Sequence, residues 1–217
     1  MRWWASNLRA LSRHDPWLGR RLAEEGPGQP GGLELMRGSG GDWTLRRLRI
    51  DGRSALVHGQ VDPLATAERA LEGALPPAWL GDGEPLGVCA LLGVGLGWPA
   101  LAAAQRLPAS LTLLLGDPQD GLFRLGLAHL DLGPLWRRRR LAFAFGEPDP
   151  GLLRAAAHSG VAVCLQDSVI EAFSGGRSWA LACLRGLQAP KPTPTVLDGL
   201  PEWLGLLDKA RMRGETL

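Results

Sequence analysis

Three alternating glycines, Gly93, Gly95 and Gly97, and a carboxylate, Asp117, form the grouping in this 217-residue chain best suited to chemistry. The glycines end one apolar run and the acid ends the next. Residues without Cβ let a chain turn sharply and let a ligand approach the backbone. A helix starting after them would present free N–H groups and a partial positive charge. An acid about twenty residues further on, after a second strand, sits where ribose hydroxyls lie in dinucleotide-binding units. The spacing therefore predicts a nucleotide-type cradle at Gly93, Gly95, Gly97 and Asp117, with the ligand unidentified. The competing reading is a tight strand-to-helix turn with nothing bound, Asp117 capping a helix beside Pro118. Glu147 follows a third apolar run. It would face the same crevice and meet a base or ribose, or stand as a solvated loop acid. Gln166 and Asp167, after a fourth run, would complete the row, or Asp167 would cap the next helix.

The elements that must position these residues are legible in the pattern. Val88–Leu92, Leu111–Leu115, Leu141–Phe145 and Val161–Leu165 are short, nearly continuous apolar runs, as expected of strands buried on both faces. Helix-compatible stretches separate them: Trp98–Leu107, Gln119–Leu130 (weakened by Gly126) and a segment from Asp149-Pro150 to about His158. Four strand–helix units in a row predict a parallel sheet with right-handed crossovers. The expected fold is α/β, a Rossmann-like parallel sheet with helices on both faces at residues 81–188. Ser168–Leu187 reads as one or two further helices, split at Gly175-Gly176.

Residues 1–80 read as a small helical and β-hairpin subdomain. Leu8, Leu11, Leu18 and Leu22 lie near helical spacing, interrupted at Asp15-Pro16, which suits a cap followed by a first-turn proline. Trp3, Trp4 and Trp17 are expected as packing anchors. Asp51-Gly52 between two extended runs predicts a hairpin. Leu45, Leu48 and Ile50 do not alternate cleanly with Arg46, Arg47 and Arg49, which predicts a bulge or exposed edge and a wet, arginine-rich face. Asp62-Pro63 starts a helix to about Leu75. Residues 189–217 read as a proline-rich linker and a tail helix carrying Trp203, Leu206 and Leu207.

Composition narrows the function classes. With 45% hydrophobic and 21% charged residues the chain can bury a real core, and a net charge of +2 gives no field for nucleic acid. No apolar run reaches membrane-spanning length, and the N-terminus lacks a signal peptide's apolar centre, so the cytoplasm is the expected compartment. Cys89, Cys164 and Cys183 have no metal-ligand spacing and read as small buried hydrophobes. The four histidines form no metal motif either. Gly-x-Ser-x-Gly and the phosphate-loop Lys-Ser/Thr ending are both absent. His129-x-Asp131 reads as a helix-end pair. Arg137–Arg140 is either a solvated corner or a patch for phosphate or an acidic surface.

The order of segments resembles the N-terminal part of the motility-associated factor (Maf) glycosyltransferases, a family with an MptE-like central domain. The similar stretches are NLRALSRHDPWLGRRLAEE from Asn7, IDGRSALVHGQVDPLATAERAL from Ile50, LLGVGLGW from Leu91, LLLGDPQDGLFRLGL from Leu113 and LAFAFGEPD from Leu141. The resemblance implies a place in flagellin-type protein glycosylation, with a nucleotide or nucleotide-sugar as ligand. It also implies that transfer chemistry belongs to a following domain, whose glycine-proline-serine motif these residues lack. The expected role is then accessory, beside a separate catalytic domain or with self-association. Asp117 stands where that family has glutamate.

A rival enzyme reading is an S-adenosylmethionine-dependent methyltransferase, whose glycine motif also alternates. That family has an acid two residues before its first glycine; here the residue is Leu91. A third reading is a non-catalytic interaction domain with a vestigial crevice, its tryptophans serving an interface.

Overall fold

A computed structural model describes residues 2–28, 32–48, 54–80 and 85–188. The elements run α1 (Trp4–His14), α2 (Pro16–Glu25), β1 (Leu33–Arg37), β2 (Trp43–Leu48), β3 (Ser54–Leu56), α3 (Pro63–Ala74) and a 3-10 turn (Pro77–Trp79). They continue with β4 (Val88–Leu92), α4 (Trp98–Arg106), β5 (Thr112–Asp117), α5 (Gly121–His129), α6 (Gly133–Trp136), β6 (Leu141–Phe145), α7 (Pro150–His158), β7 (Val161–Leu165), α8 (Asp167–Ile170) and α9 (Gly176–Leu187). The expected Asp51-Gly52 turn and the linker and tail at 189–217 lie outside the described residues, as does most of the 81–85 loop.

Strands β4–β7 form one parallel sheet in the order β6-β5-β4-β7. The chain winds outward from β4 to β6, then returns to place β7 on the other side of β4. That reversal is the position at which open α/β sheets bind ligands, outside the carboxyl ends of the strands. Alternate side chains of the buried strands feed two layers. Cys89, Leu91, Leu113, Leu115 and Phe143 face α4 and α5. Val88, Ala90, Leu92, Leu114 and Ala142 face α7 and α9. The fold is thus the expected α/β, Rossmann-like one, with helices on both faces.

A second sheet, β1-β2-β3, is antiparallel throughout. Here the structure corrects the sequence reading. The strand β2 is the central strand, neither an edge nor bulged, since its partners step one for one on both sides. Its adjacent arginines Arg46 and Arg47 point to opposite faces, and Arg49 and Ile50 lie outside the described residues. Arg46 pairs across the strands with Glu34, and Arg47 donates to the Glu171 carbonyl beside α8.

The described residues of 2–80 share their core with the parallel sheet. Leu11, Leu18, Leu22, Leu45, Val57, Ala67 and Leu71 belong to the same buried cluster as Leu91, Leu113 and Leu115. Asn7 fastens this junction. Its buried amide donates to the carbonyls of Leu127 (2.9 Å) and Leu130 (2.8 Å) and accepts from the Trp136 indole (2.8 Å). Every polar group of that side chain is used, which is how a buried amide avoids its desolvation cost. Asp15 and Asp62 cap α2 and α3 as their proline-preceding positions predict, accepting from Leu18 N–H (3.0 Å) and Ala65 N–H (2.8 Å). Trp17 is not the expected anchor: it is 62% exposed, under the Arg21 guanidinium.

The arginine run is neither a solvated corner nor a ligand patch at its key position. Arg138 is buried, and its guanidinium donates to the carbonyls of Leu107 (2.6 Å), Pro108 (2.7 Å) and Leu111 (2.9 Å). Arg140 does the same to Ser110 (2.8 Å). The two cations tie down the α4–β5 turn by satisfying its carbonyls. All three cysteines are buried and unpaired, their thiols pushed up by burial. No helix among the described residues is long and apolar enough to cross a membrane.

Candidate functional site

The glycine turn lies at the strand-order reversal, between the end of β4 and the start of α4. Gly93, Gly95 and Gly97 have φ of +91°, +54° and +105°, a region costly for any residue with a Cβ. Alternating glycines are therefore demanded by the backbone path itself. Close packing adds to that demand. A Cβ on Gly95 would lie 2.6 Å from His58 Nε2, and one on Gly93 2.9 Å from the Gln166 carbonyl. Gly126, which weakens α5 in sequence terms, is required by the same packing, because a Cβ there would fall 1.8 Å from the Leu96 carbonyl.

The amides of this turn bond within the protein. Gly93 N–H donates to the Gly116 carbonyl (2.8 Å) and Gly97 N–H to the Val94 carbonyl (2.8 Å). Gly95 N–H donates to Asp117 Oδ2 (2.8 Å), and Leu96 N–H to His58 Nε2 (3.2 Å). Pro99 removes a donor from the first turn of α4. An anion cradle needs free N–H groups converging on an open space. Here the converging groups have internal acceptors, and His58, Gln166, Val169 and Ile170 fill the space over the glycines.

Asp117 is fully buried. It is not a helix cap; α5 begins after Asp120. Burial raises its carboxyl well above the ordinary range, against the pull of the Gly95 N–H. Its second oxygen, Oδ1, has no protein partner. His58 comes from the segment after β3, with a backbone held by Thr44 Oγ1 donating to its own carbonyl (3.1 Å) and Ser168 Oγ donating to that of Val57 (2.7 Å). Burial depresses its imidazole to about 4, so Nε2 is an unprotonated acceptor at neutral pH.

The other expected site residues scatter. Glu147, in the loop after β6, is exposed. Gln166 covers Gly93, while Asp167 starts α8 without capping it. His58 was missed in the sequence. Its only signal there was position, a histidine just after a hairpin and before a capped helix. His129 and Asp131 form no dyad: His129 meets the Trp43 ring edge-on (centroids 4.7 Å), and Asp131 Oδ1 accepts from Gly133 N–H (2.9 Å). No cluster of metal-ligating side chains occurs among the described residues.

Open space lies beside the turn. A notch of about 580 Å³ sits beyond the carboxyl ends of β5 and β6, lined by Arg21, Glu25, Pro118, Asp120, Arg124 and Gly146. Its charges are already matched. Arg21 meets Asp120 at 2.6 Å, and Arg124 meets Asp120 at 3.1 Å and Glu25 at 3.3 Å. A second cleft, about 700 Å³, runs between the N-terminal segment and α4–α6, with Trp3, Arg37, Trp43, Trp98 and His129 on its walls. There the Arg37 guanidinium stacks 4.0 Å over Trp43.

No family model matches this chain, and no curated protein matches it. Among solved structures it is similar to a Maf glycosyltransferase from Magnetospirillum magneticum AMB-1, with a TM-score of 0.50 and 18% identity. That match covers 82% of this chain and 34% of the other, so this chain spans about a third of its neighbour's length. At such identity the likeness is one of fold. An arsenic (III) S-adenosylmethionine methyltransferase from Chlamydomonas reinhardtii is 21% identical, over 42% of this chain and 35% of that one. Its TM-score of 0.24 carries no argument.

Proposed function

We propose that this chain is an accessory, Maf-like module of a cytoplasmic protein-glycosylation system, acting by holding a partner rather than by transforming a nucleotide. One observation carries the non-catalytic part. The turn that would cradle a ligand has its N–H groups bonded to Asp117, His58 and main-chain carbonyls. In this role Gly93, Gly95, Gly97 and Asp117 are the joint that locks the N-terminal segment onto the sheet. The fold likeness to a Maf glycosyltransferase, together with the order of similar segments, supports the glycosylation setting. Titration calorimetry with CMP, a CMP-sugar and S-adenosylmethionine should show no binding at millimolar ligand. Co-purification with a Maf-type catalytic domain, or a stable self-association, should be seen instead. Submicromolar binding of S-adenosylmethionine would replace this reading with the methyltransferase one.

A nucleotide-sugar reading keeps one specific support, the 580 Å³ notch at the carboxyl ends of β5 and β6, which is large enough for such a ligand. It requires Arg21 and Arg124 to exchange Asp120 and Glu25 for phosphate. Binding of a CMP-sugar that is abolished by Arg124→Ala, and unaffected at Gly95, would favour it.

A further inference from the structure

The contact between His58 and the glycine turn has a chemistry that the joint alone does not need. An imidazole accepts a hydrogen bond only through an unprotonated nitrogen. Leu96 N–H points at Nε2, and the missing Cβ of Gly95 makes the room in which the ring sits. A protonated ring would oppose one N–H to another at a buried contact. We propose that His58 is a proton-operated latch: protonation at Nε2 removes the acceptor of Leu96 N–H and releases the glycine turn from the N-terminal sheet.

The surroundings fit a device that responds to the proton alone. The groups lining the small cavity of about 250 Å³ beside the ring include Thr66, Gln166 and Ser168, which carry no charge. The charged groups on the neighbouring elements are engaged or remote. Asp117 accepts from Gly95 N–H, Asp62 caps α3 by accepting from Ala65 N–H, Arg47 donates to the Glu171 carbonyl, and Asp167 is exposed at the start of α8. None of them contributes to the depression of His58, which burial causes. The adjoining cavity gives the released ring somewhere to go, and the bonds of Thr44 and Ser168 hold its backbone while it swings. Opening also uncovers Leu96 N–H, the donor that His58 covers in the closed turn. This inference stands whether or not the proposed accessory role does.

Residue-resolved hydrogen exchange on the whole chain tests the latch, with rates corrected for the intrinsic effect of pH. With a closed-state value of about 4 and an ordinary one of about 6.5 once open, opening should grow roughly 30-fold between pH 7.5 and pH 5. Leu96 N–H should show that acceleration, while Leu114 N–H in the central strand should not. His58→Gln, which keeps an acceptor without a titrating ring, should abolish it. Asp117→Asn should leave it in place. The latch is overturned if Leu96 and Leu114 accelerate together, if His58→Gln behaves as the wild type, or if the effect disappears in Asp117→Asn.

Discussion

Two turns occupy equivalent places at the carboxyl edge of the sheet, and they are built in opposite ways. The turn after β4 is sealed: its amides have internal acceptors, and His58 from a distant segment lies over it. The turn after β5, at Pro118–Asp120, opens onto the 580 Å³ notch, where paired charges are reached by solvent. Asp117, at the end of β5, faces inward to the first turn, while Asp120, three residues later, faces outward to the second. The acid that could grip a ligand from the rim is turned inward, where it holds the Gly95 amide instead. Sealing follows from what packs above: α8 and the segment after β3 cover the first turn, and only the α2 end borders the second.

The largest test of this contrast is Gly95→Ala. It forces a Cβ into left-handed backbone and against His58 Nε2, so it should destabilise the fold by about 3 kcal/mol in urea denaturation. A change below about 1 kcal/mol would mean that the turn is not sealed.

Acid is the next lever, and two groups act with opposite signs. His58 has a folded value below its unfolded one, so its contribution is present above about pH 6.5. It is lost as pH falls toward about 4. Asp117 has a raised folded value, so its contribution is present at acid pH and lost as pH rises through that value. Asp117→Asn removes the second effect. In that variant, stability should fall by up to about 3 kcal/mol between pH 6.5 and pH 4, as read by chemical denaturation at each pH.

Truncating the acid is a smaller perturbation. Asp117→Ala leaves Gly95 N–H unpaired in a buried space and should be about 2 kcal/mol less stable than Asp117→Asn, which can still accept from Gly95 and, like alanine, does not titrate. A rim acid would give the reverse pattern, with no stability change and a loss of nucleotide affinity. The smallest effect belongs to the open notch. Arg124→Ala should cost roughly 1 kcal/mol or less, and the loss should shrink at 1 M salt, because the pairs it breaks are partly solvated.

The sequence reading succeeded where local rules govern. Asp15-Pro16, Asp62-Pro63 and Asp149-Pro150 start helices because a side-chain cap and a fixed φ act within a few residues. It failed where partners come from afar. The central place of β2 depends on a third strand, the burial of Arg138 on three carbonyls of a turn about thirty residues earlier, and the exposure of Trp17 on what α2 leaves uncovered.

What the sequence determined by itself was the α/β winding and the place of its sharp bend. Runs of apolar residues and the glycines at 93, 95 and 97 act on their own backbone through hydrogen bonding and sterics. Only the tertiary structure decided what fills that bend. His58 lies 38 residues before Leu96, and its approach is set by the shared core beneath it. No spacing in the chain announces an acceptor delivered by another element.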